Sequence, residues 1–184
     1  MPGSPIHTRP WDWGFVIVAS LFACTSLLFD TLPTLAELIF DDPRVYPLAP
    51  AGLDTYVSVD PLLVADPAFL RAAVAWSGFV WLPIYVYMAW AFYRGERSVR
   101  LPGLMYATGM CVAMSMVLAE VFFSSNPAWR TPEPLLFAAY NLPYPIFALL
   151  VGWRLRQPFP FGVPAALEGL PEVARRELGL PEPS

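Results

Sequence analysis

The stretch WGFVIVASLFACTSLLF, residues 13–29, contains no charged residue. Three further uncharged runs follow it, at residues 72–93, 101–119 and 135–153. Each run is close to the length of about 20 residues that a helix needs to cross the hydrocarbon core of a bilayer. A helix also satisfies its own backbone hydrogen bonds, for which lipid offers no alternative partner. The sequence therefore predicts an all-α fold, a four-helix transmembrane bundle with a long connection between helices 1 and 2.

The composition of the chain is that of a membrane protein rather than of a soluble domain. Of its 184 residues, 57% are hydrophobic and only 14% are charged, and the mean hydropathy is +0.50. The net charge of −4 argues against nucleic acid as a partner. We predict an N-terminal flank at residues 1–10, one four-helix domain at residues 11–157, and a Pro- and Glu-rich cytosolic tail at residues 158–184.

The arginines predict the orientation of the chain, because the cytoplasmic flanks of membrane helices carry an excess of Lys and Arg. Six arginines lie beside one set of run ends: Arg9, Arg94, Arg97, Arg100, Arg154 and Arg156. Three lie beside the other set: Arg44, Arg71 and Arg130. The prediction is a multi-pass integral membrane protein with both termini in the cytoplasm. The membrane would be the endoplasmic reticulum or another internal membrane in a eukaryote, and the plasma membrane in a prokaryote.

Prolines lie inside or beside all four runs. Pro33 is expected to end helix 1 near Asp30, and Pro83 to interrupt helix 2, because proline lacks a backbone donor and clashes with the preceding turn. Pro143 and Pro145 lie inside helix 4. Bent helices either leave a cavity between them or only curve around a packed core, and the sequence leaves both open.

Three carboxyl groups near or inside the runs need a physical reason. Glu120 lies among apolar residues, where a carboxyl is costly unless it is paired, wet or protonated; it is either functional or solvated at the helix end. Asp30 closes the first run and either caps that helix or meets a ligand amine. Asp60 precedes a proline, which is typical of a turn or cap, and we predict a structural role for it.

Aromatic and amide side chains predict the lining of a pocket. Trp81 and Tyr85 share a face of helix 2, and Asn141 and Tyr144 share a face of helix 4 next to Tyr140. Rings around an apolar cavity suit a rigid polycyclic ligand, although plain core packing explains the same pattern. The sequence has no phosphate loop, nucleophile motif or metal-ligand constellation, so no cofactor or metal is predicted.

The order of several short motifs carries a family resemblance. The motifs are Leu27-Leu28-Phe29-Asp30, Asp60-Pro61-Leu62-Leu63, Leu82-Pro83, Pro102 with Tyr106, and Tyr140 with Pro143-Tyr144 and Arg154. Together they resemble the EXPERA-domain family, which includes the sigma-two receptor and the emopamil-binding protein, a sterol Δ8–Δ7 isomerase. The resemblance covers residues 11–158. It implies a four-helix membrane protein whose intrabundle pocket takes sterols or cationic amphiphiles.

The resemblance also implies roles for individual residues. Asp30 resembles the acid that meets a ligand amine, Asp60 a second, structural acid, and Tyr144 a pocket-lining tyrosine. The isomerase branch has a His and a Glu on helix 2, and the receptor branch has a Glu near the position of Ser77. This chain has none of them. The proton-transfer set is therefore incomplete, and Glu120 would be the catalytic group only if the protein is an enzyme.

Three functional hypotheses follow. The first is a protein that binds sterol-like or other lipophilic small molecules, cationic amphiphiles included, through Asp30, Glu120 and the aromatic and amide side chains of helices 2 and 4. The second is a sterol-type double-bond isomerase that uses buried carboxyls. The third is a structural or trafficking partner of another membrane protein. The first is favoured, so enzyme activity is not expected. Membrane lipids are further partners, and a homodimer is left open.

Overall fold

Four long helices dominate the computed structural model, which describes residues 5–40, 58–65, 67–157 and 159–162. They are long and apolar enough to cross a membrane, and we name them spans 1 to 4: Asp12–Leu35, Ala68–Arg94, Arg97–Phe123 and Pro134–Leu155. The predicted all-α fold with four membrane helices is confirmed. The tail beyond residue 162, where the sequence predicts a loosely ordered cytosolic segment, lies outside the described residues.

The spans are built from shorter helical segments. In chain order, the α-helical segments are α1 (Asp12–Thr25), α2 (Leu32–Phe40), α3 (Pro61–Ala65), α4 (Ala68–Trp76), α5 (Leu82–Arg94), α6 (Arg100–Phe123), α7 (Pro134–Asn141) and α8 (Pro143–Leu155), of which α3 precedes span 2 and belongs to no span. Two π-helical segments, Ser26–Thr31 and Ser77–Trp81, join α1 to α2 and α4 to α5 without a break. Spans 1 and 2 are therefore continuous helices, and in span 4 a single residue with helical dihedral angles, Leu142, joins α7 to α8.

The prediction that Pro33 ends helix 1 near Asp30 is wrong. A proline in a helix offers no N–H and its ring clashes with the carbonyl four residues earlier. The wider π turn just before Pro33 removes that conflict, because the Leu32 N–H donates to the Leu27 carbonyl, five residues back. The chain consequently stays helical through α2. Pro83 is accommodated in span 2 by the same device.

The spans pack in two pairs, span 1 along span 2 and span 3 along span 4. Gly95 ends span 2 in the left-handed conformation, with φ of 71°, and its N–H donates to the Ala91 carbonyl. Glycine adopts this conformation without steric cost, which allows the tight turn into span 3. The main core draws buried side chains from all four spans: Phe22, Tyr85, Met88, Phe92, Tyr106, Phe147 and Val151.

One end of the bundle, which we call the arginine end, is closed by a buried ion pair. Asp12 is 1% exposed and accepts hydrogen bonds from Arg154, at 2.8 Å from Nε and 3.0 Å from Nη2. Arg9 binds the same carboxylate and also donates to the Phe92 carbonyl at the end of span 2, at 3.1 Å. The buried ring of Phe161 lies between the guanidinium groups of Arg9 and Arg154, at 4.8 and 5.3 Å.

Other arginines at this end satisfy helix-terminal carbonyl groups. Arg100 donates from Nε to the Leu155 and Gln157 carbonyls, at 3.2 and 3.1 Å, where span 4 ends. Arg97 donates to the Gly162 carbonyl at 2.6 Å. The last carbonyls of a helix lack partners within it, and cations are favoured there. The arginines that predict the orientation therefore also tie the spans and the segment after span 4 together.

The opposite end of the bundle has its own small core. Asp60 is 2% exposed, and its Oδ1 accepts a hydrogen bond from the Leu62 N–H at 3.0 Å, at the start of α3. Leu62 is fully buried and packs with Val121 of span 3 and Phe137 of span 4. The residues before span 2 thus cover the ends of spans 3 and 4, with Asp60 holding the turn that directs them there.

Candidate functional site

The two π-helical segments face each other inside the bundle, and side-chain hydrogen bonds join them. Ser26 Oγ donates to the Ser77 carbonyl at 3.0 Å, from span 1 to span 2. The Thr31 hydroxyl lies 3.1 Å from both the Gly78 and the Ser26 carbonyl oxygens. π turns inside α-helices occur frequently at functional sites. We call this group of contacts the serine–threonine clasp.

Pro83 explains why the clasp forms where it does. In the π turn, the Leu82 N–H donates to the Ser77 carbonyl instead of to the Gly78 carbonyl. The next residue that could reach the Gly78 carbonyl is Pro83, which has no N–H. This carbonyl therefore lacks a donor in its own helix, and the hydroxyl of Thr31 supplies one from span 1. Gly78 also makes the contact possible, because an added Cβ would lie 3.1 Å from the Thr31 backbone.

Asp30 is the carboxylate next to this clasp. Ser77 Oγ donates to Asp30 Oδ2 at 2.6 Å, and the Ser26 hydroxyl lies beside the same group. The side chain is half-buried. Among the described residues, the ion pairs involve Asp12 at the arginine end, and none involves Asp30. Asp30 therefore lies within an apolar span, held by hydroxyl groups and without a cationic partner in the described part of the chain.

An aromatic cluster fills the bundle between the clasp and the arginine end. Tyr85 and Tyr106 meet edge to face with ring centroids 5.2 Å apart. Phe22 contacts Tyr85 at 5.6 Å and stacks on Tyr144 at 4.5 Å. Trp81 contacts Tyr106 at 5.4 Å. Such edge-to-face pairs are favourable beyond the area they bury, so this cluster is both core and candidate ligand surface.

Two hydroxyl groups in this cluster are incompletely satisfied. The oxygens of Tyr85 and Tyr106 are buried, and neither has a hydrogen-bond partner of acceptable geometry among the described residues. A buried polar group left in that state costs about 1–3 kcal/mol. The carboxylate of Asp30 and the hydroxyl of Tyr144 lie within electrostatic range of the Tyr85 hydroxyl. The serine–threonine clasp, Asp30 and the tyrosines Tyr85, Tyr106 and Tyr144 together form what we call the polar centre.

Several site residues predicted from sequence thus lie close together, and others do not. Asp30, Tyr85 and Tyr144 belong to the polar centre, and Trp81 borders it. Tyr140 is 42% exposed on the outside of span 4, next to Asn141, whose Nδ2 donates to the Phe137 carbonyl of its own helix at 3.0 Å.

Glu120 lies apart from Asp30. It is half-buried in the last turn of span 3, beside the small core at the end opposite the arginines. Its carboxyl makes no hydrogen bond or ion pair with any described residue, and its backbone carbonyl accepts from the Ser124 N–H at 3.1 Å. Among the described residues, no hydrogen bond or ion pair joins Glu120 to Asp30 or to its serine partner Ser77.

Two shallow cavities lie on the membrane-facing side of spans 3 and 4. One, of about 410 Å³, is lined by residues of span 3 including Cys111 and Ser115. The other, of about 350 Å³, lies between Ala107 of span 3 and Gly152 of span 4. Neither is lined by a residue of the polar centre. In the described residues, no group of three or more His, Cys, Asp or Glu side chains could hold a metal ion.

The hydroxyl groups that surround Asp30 were not predicted from the sequence. Ser77 was noted only as the position where related proteins carry an acid, and Ser26, Thr31 and Tyr106 were assigned no role. The sequence does contain a signal. Each of the first two runs has a serine that precedes the proline of a Leu-Pro pair, by seven residues from Ser26 to Pro33 and by six from Ser77 to Pro83. That spacing puts a hydroxyl one turn or more before a proline, where backbone carbonyls lose their donors.

The fold and the polar centre define a class: a four-span integral membrane protein with polar groups enclosed between its helices. Residues 44–155, more than half of the chain, match the family model described as EXPERA (EXPanded EBP superfamily). The chain belongs to the EXPERA family. The match includes Asp60 and spans 2 to 4 and begins after span 1, so it does not itself include Asp30. No individual curated protein and no solved structure matches at a significant level.

Proposed function

We propose that this protein binds a lipophilic small molecule with a cationic group, and that Asp30 is the anchor for that group. The single observation that carries the proposal is the half-buried carboxylate of Asp30, fixed by Ser77 and without a cationic partner in the described residues. Ionisable residues inside membrane helices are costly and usually functional. A ligand amine would supply the missing countercharge.

The surroundings of Asp30 favour a rigid apolar ligand body. The ring of Tyr144 lies in the polar centre and those of Phe22 and Trp81 lie next to it, and aromatic surfaces suit flat polycyclic molecules. Membership of the EXPERA family, which includes sterol isomerases and binding proteins, supports a sterol-like scaffold. An isomerase would need a second group for proton transfer, and Glu120 has no contact with Asp30. The geometry therefore favours binding over double-bond isomerisation.

The test uses a steroid with a dimethylamino group on its side chain and the matched steroid with a neutral side chain. We expect Asp30→Asn to weaken binding of the amine by about 2 kcal/mol or more, because a desolvated charge pair is lost. Binding of the neutral steroid should hardly change. The affinities are measured by titration of the purified protein in mild detergent. Mass spectrometry of lipid that co-purifies with the wild-type protein identifies the natural ligand class.

Glu120→Gln is the matched control, since it also removes one carboxyl from a membrane span. The amine should bind this variant as it binds the wild type. If Asp30→Asn folds with an unchanged melting temperature and binds the amine normally, Asp30 is not the anchor. If expression in cells without sterol isomerase restores Δ7-sterol production and Glu120→Gln abolishes it, the isomerase hypothesis replaces the binding one.

We also propose that the arginine end faces the cytoplasm, because most of the span-flanking arginines lie there. Ser98 and Ser125 are exposed serines at opposite ends of the bundle, which makes Ser98→Cys and Ser125→Cys a matched pair in a background without Cys24 and Cys111. A membrane-impermeant thiol reagent should label Ser98→Cys only from the cytoplasmic side and Ser125→Cys only from the other side. The reverse pattern would mean that the orientation is inverted.

A further inference from the structure

The hydroxyl groups of Tyr85 and Tyr106 can each donate and accept hydrogen bonds, but no described residue is their hydrogen-bond partner. Tyr85 is 1% exposed and Tyr106 is fully buried. The two hydroxyls are close enough to interact with each other, but without a hydrogen bond of acceptable geometry. Even a bond between them would leave one O–H without an acceptor, because each phenol carries one donor.

The rings packed against these hydroxyls cannot complete the pairing, and the Asp30 carboxylate and the Tyr144 hydroxyl, although within electrostatic range, form no hydrogen bond with them. The rings in contact with the two tyrosines belong to Phe22, Trp81 and Phe147. Phenylalanine rings offer no ordinary acceptor, and the indole of Trp81 is a donor only. Native structures pair nearly all buried polar groups, and each exception calls for an explanation. A hydrogen-bonding group of a bound molecule explains why the hydroxyls of Tyr85 and Tyr106 have no partner within the described chain.

We propose that Tyr85 and Tyr106 together bind an uncharged oxygen group of the ligand, a hydroxyl or a ketone. This inference rests on the proposed function, because it concerns the other end of the molecule that Asp30 anchors. A phenol both donates and accepts, so the pair can serve either oxygen group. The ligand class is thereby narrowed to amphiphiles with a cationic group, a rigid apolar body and a separate hydrogen-bonding oxygen.

The positions of the two sites along span 2 fit such a ligand. Tyr85 follows Ser77, the residue that holds Asp30, by eight residues in the same span, which corresponds to about 12 Å along a helix axis. The side chain of Tyr85 leans back toward Ser77, as side chains in helices do. This lean shortens the separation, in agreement with the Asp30 carboxylate lying within electrostatic range of the Tyr85 hydroxyl, so the carboxylate and the phenol pair are neighbouring but distinct contacts for one molecule.

The experiment compares the steroid amine that carries a hydroxyl on its first ring with the same amine lacking that hydroxyl. The wild-type protein should prefer the hydroxylated amine by about tenfold, the value of one net hydrogen bond. Tyr85→Phe and Tyr106→Phe, which remove only the oxygen atoms, should erase this preference and leave the affinity for the deoxy amine unchanged. Tyr87→Phe is the matched control, because its hydroxyl donates to Ser98 Oγ at the arginine end, at 2.7 Å, and it should keep the preference.

A melting curve without ligand separates a binding role from a structural one. If the hydroxyls serve a ligand, Tyr85→Phe and Tyr106→Phe melt at the wild-type temperature or above, since an unsatisfied polar group has been removed. A lower melting temperature in both variants, or an undiminished preference for the hydroxylated amine, overturns the inference. If neither amine binds the wild-type protein, the proposed function itself fails. If both bind equally well, Asp30 remains the anchor and only the tyrosine site is rejected.

Discussion

The buried Asp12 carboxylate at the arginine end and the buried polar groups of the polar centre are satisfied in opposite ways. At the arginine end, the carboxylate of Asp12 has two arginine partners and is enclosed by Phe161. In the polar centre, Asp30 is held by a serine hydroxyl, and the hydroxyls of Tyr85 and Tyr106 lack partners in the described residues. Both regions lie in the same bundle, so the membrane environment alone does not explain the difference.

The comparison indicates which region holds the fold and which is available to a ligand. A fully paired buried network rigidifies the structure around it, whereas a partly paired one costs stability and persists where function requires it. We therefore expect substitutions at the arginine end to act mainly on stability. Substitutions of Asp30 and the tyrosines should act mainly on ligand binding. Substitutions in the serine–threonine clasp should lower both stability and ligand binding.

The largest expected effect on stability comes from Arg154→Gln. This change leaves Asp12 buried with one of its two arginines, and breaking a buried ion pair typically costs about 3–5 kcal/mol. Thermal unfolding in detergent measures the loss. Arg156→Gln, which alters an exposed neighbour packed on Trp153, is the control and should have little effect. Equal melting temperatures for the two variants would contradict the assignment of the arginine end to stability.

Gly78→Ala should have the next largest effect, because the new methyl group would press on the backbone of Thr31. Overpacking of this kind costs about 1–3 kcal/mol, and the loss should appear in the same unfolding experiment. Gly14→Ala is the matched control, since its added Cβ meets nothing within 4 Å. A Gly78→Ala protein as stable as Gly14→Ala would mean that spans 1 and 2 are not in close contact at the clasp.

Thr31→Val should have the smallest effect of the three. It removes the hydroxyl that compensates for the N–H missing at Pro83 and keeps the shape of the side chain. Hydrogen bonds between membrane helices contribute about 0.6 kcal/mol on average. Thr108→Val is the control, because its hydroxyl donates to the Leu104 carbonyl within its own helix at 3.0 Å. If both variants melt alike, the bond between the spans adds nothing beyond an ordinary bond within a helix.

The number and approximate limits of the spans could be predicted from sequence, since the absence of charge over the length of a membrane helix is a strong physical constraint. The continuation of span 1 past Pro33 could not. A proline alone predicts a break, and only the neighbouring helix shows how a π turn absorbs it. Asp30 could be predicted as a site residue because a carboxyl group is unusual in a membrane span, and Tyr85 because of its large aromatic ring.

The contacts that surround Asp30 could not be predicted from sequence. Serine and threonine are common in membrane helices, where most of them bond to their own backbone, as Thr108 and Ser115 do. Ser77 differs only because the π turn rotates its hydroxyl toward span 1. The pairing of Tyr85 with Tyr106 likewise depends on how spans 2 and 3 approach each other, which no local pattern encodes.

The buried pair of Asp12 and Arg154 also has a consequence for the order of assembly. Asp12 opens span 1, and Arg154 lies 142 residues later, near the end of span 4. Until span 4 is inserted, Asp12 has only its close neighbour Arg9 for compensation. The pairing of this carboxylate therefore depends on insertion of span 4: an intermediate without that span presents an incompletely paired charge at the end of span 1.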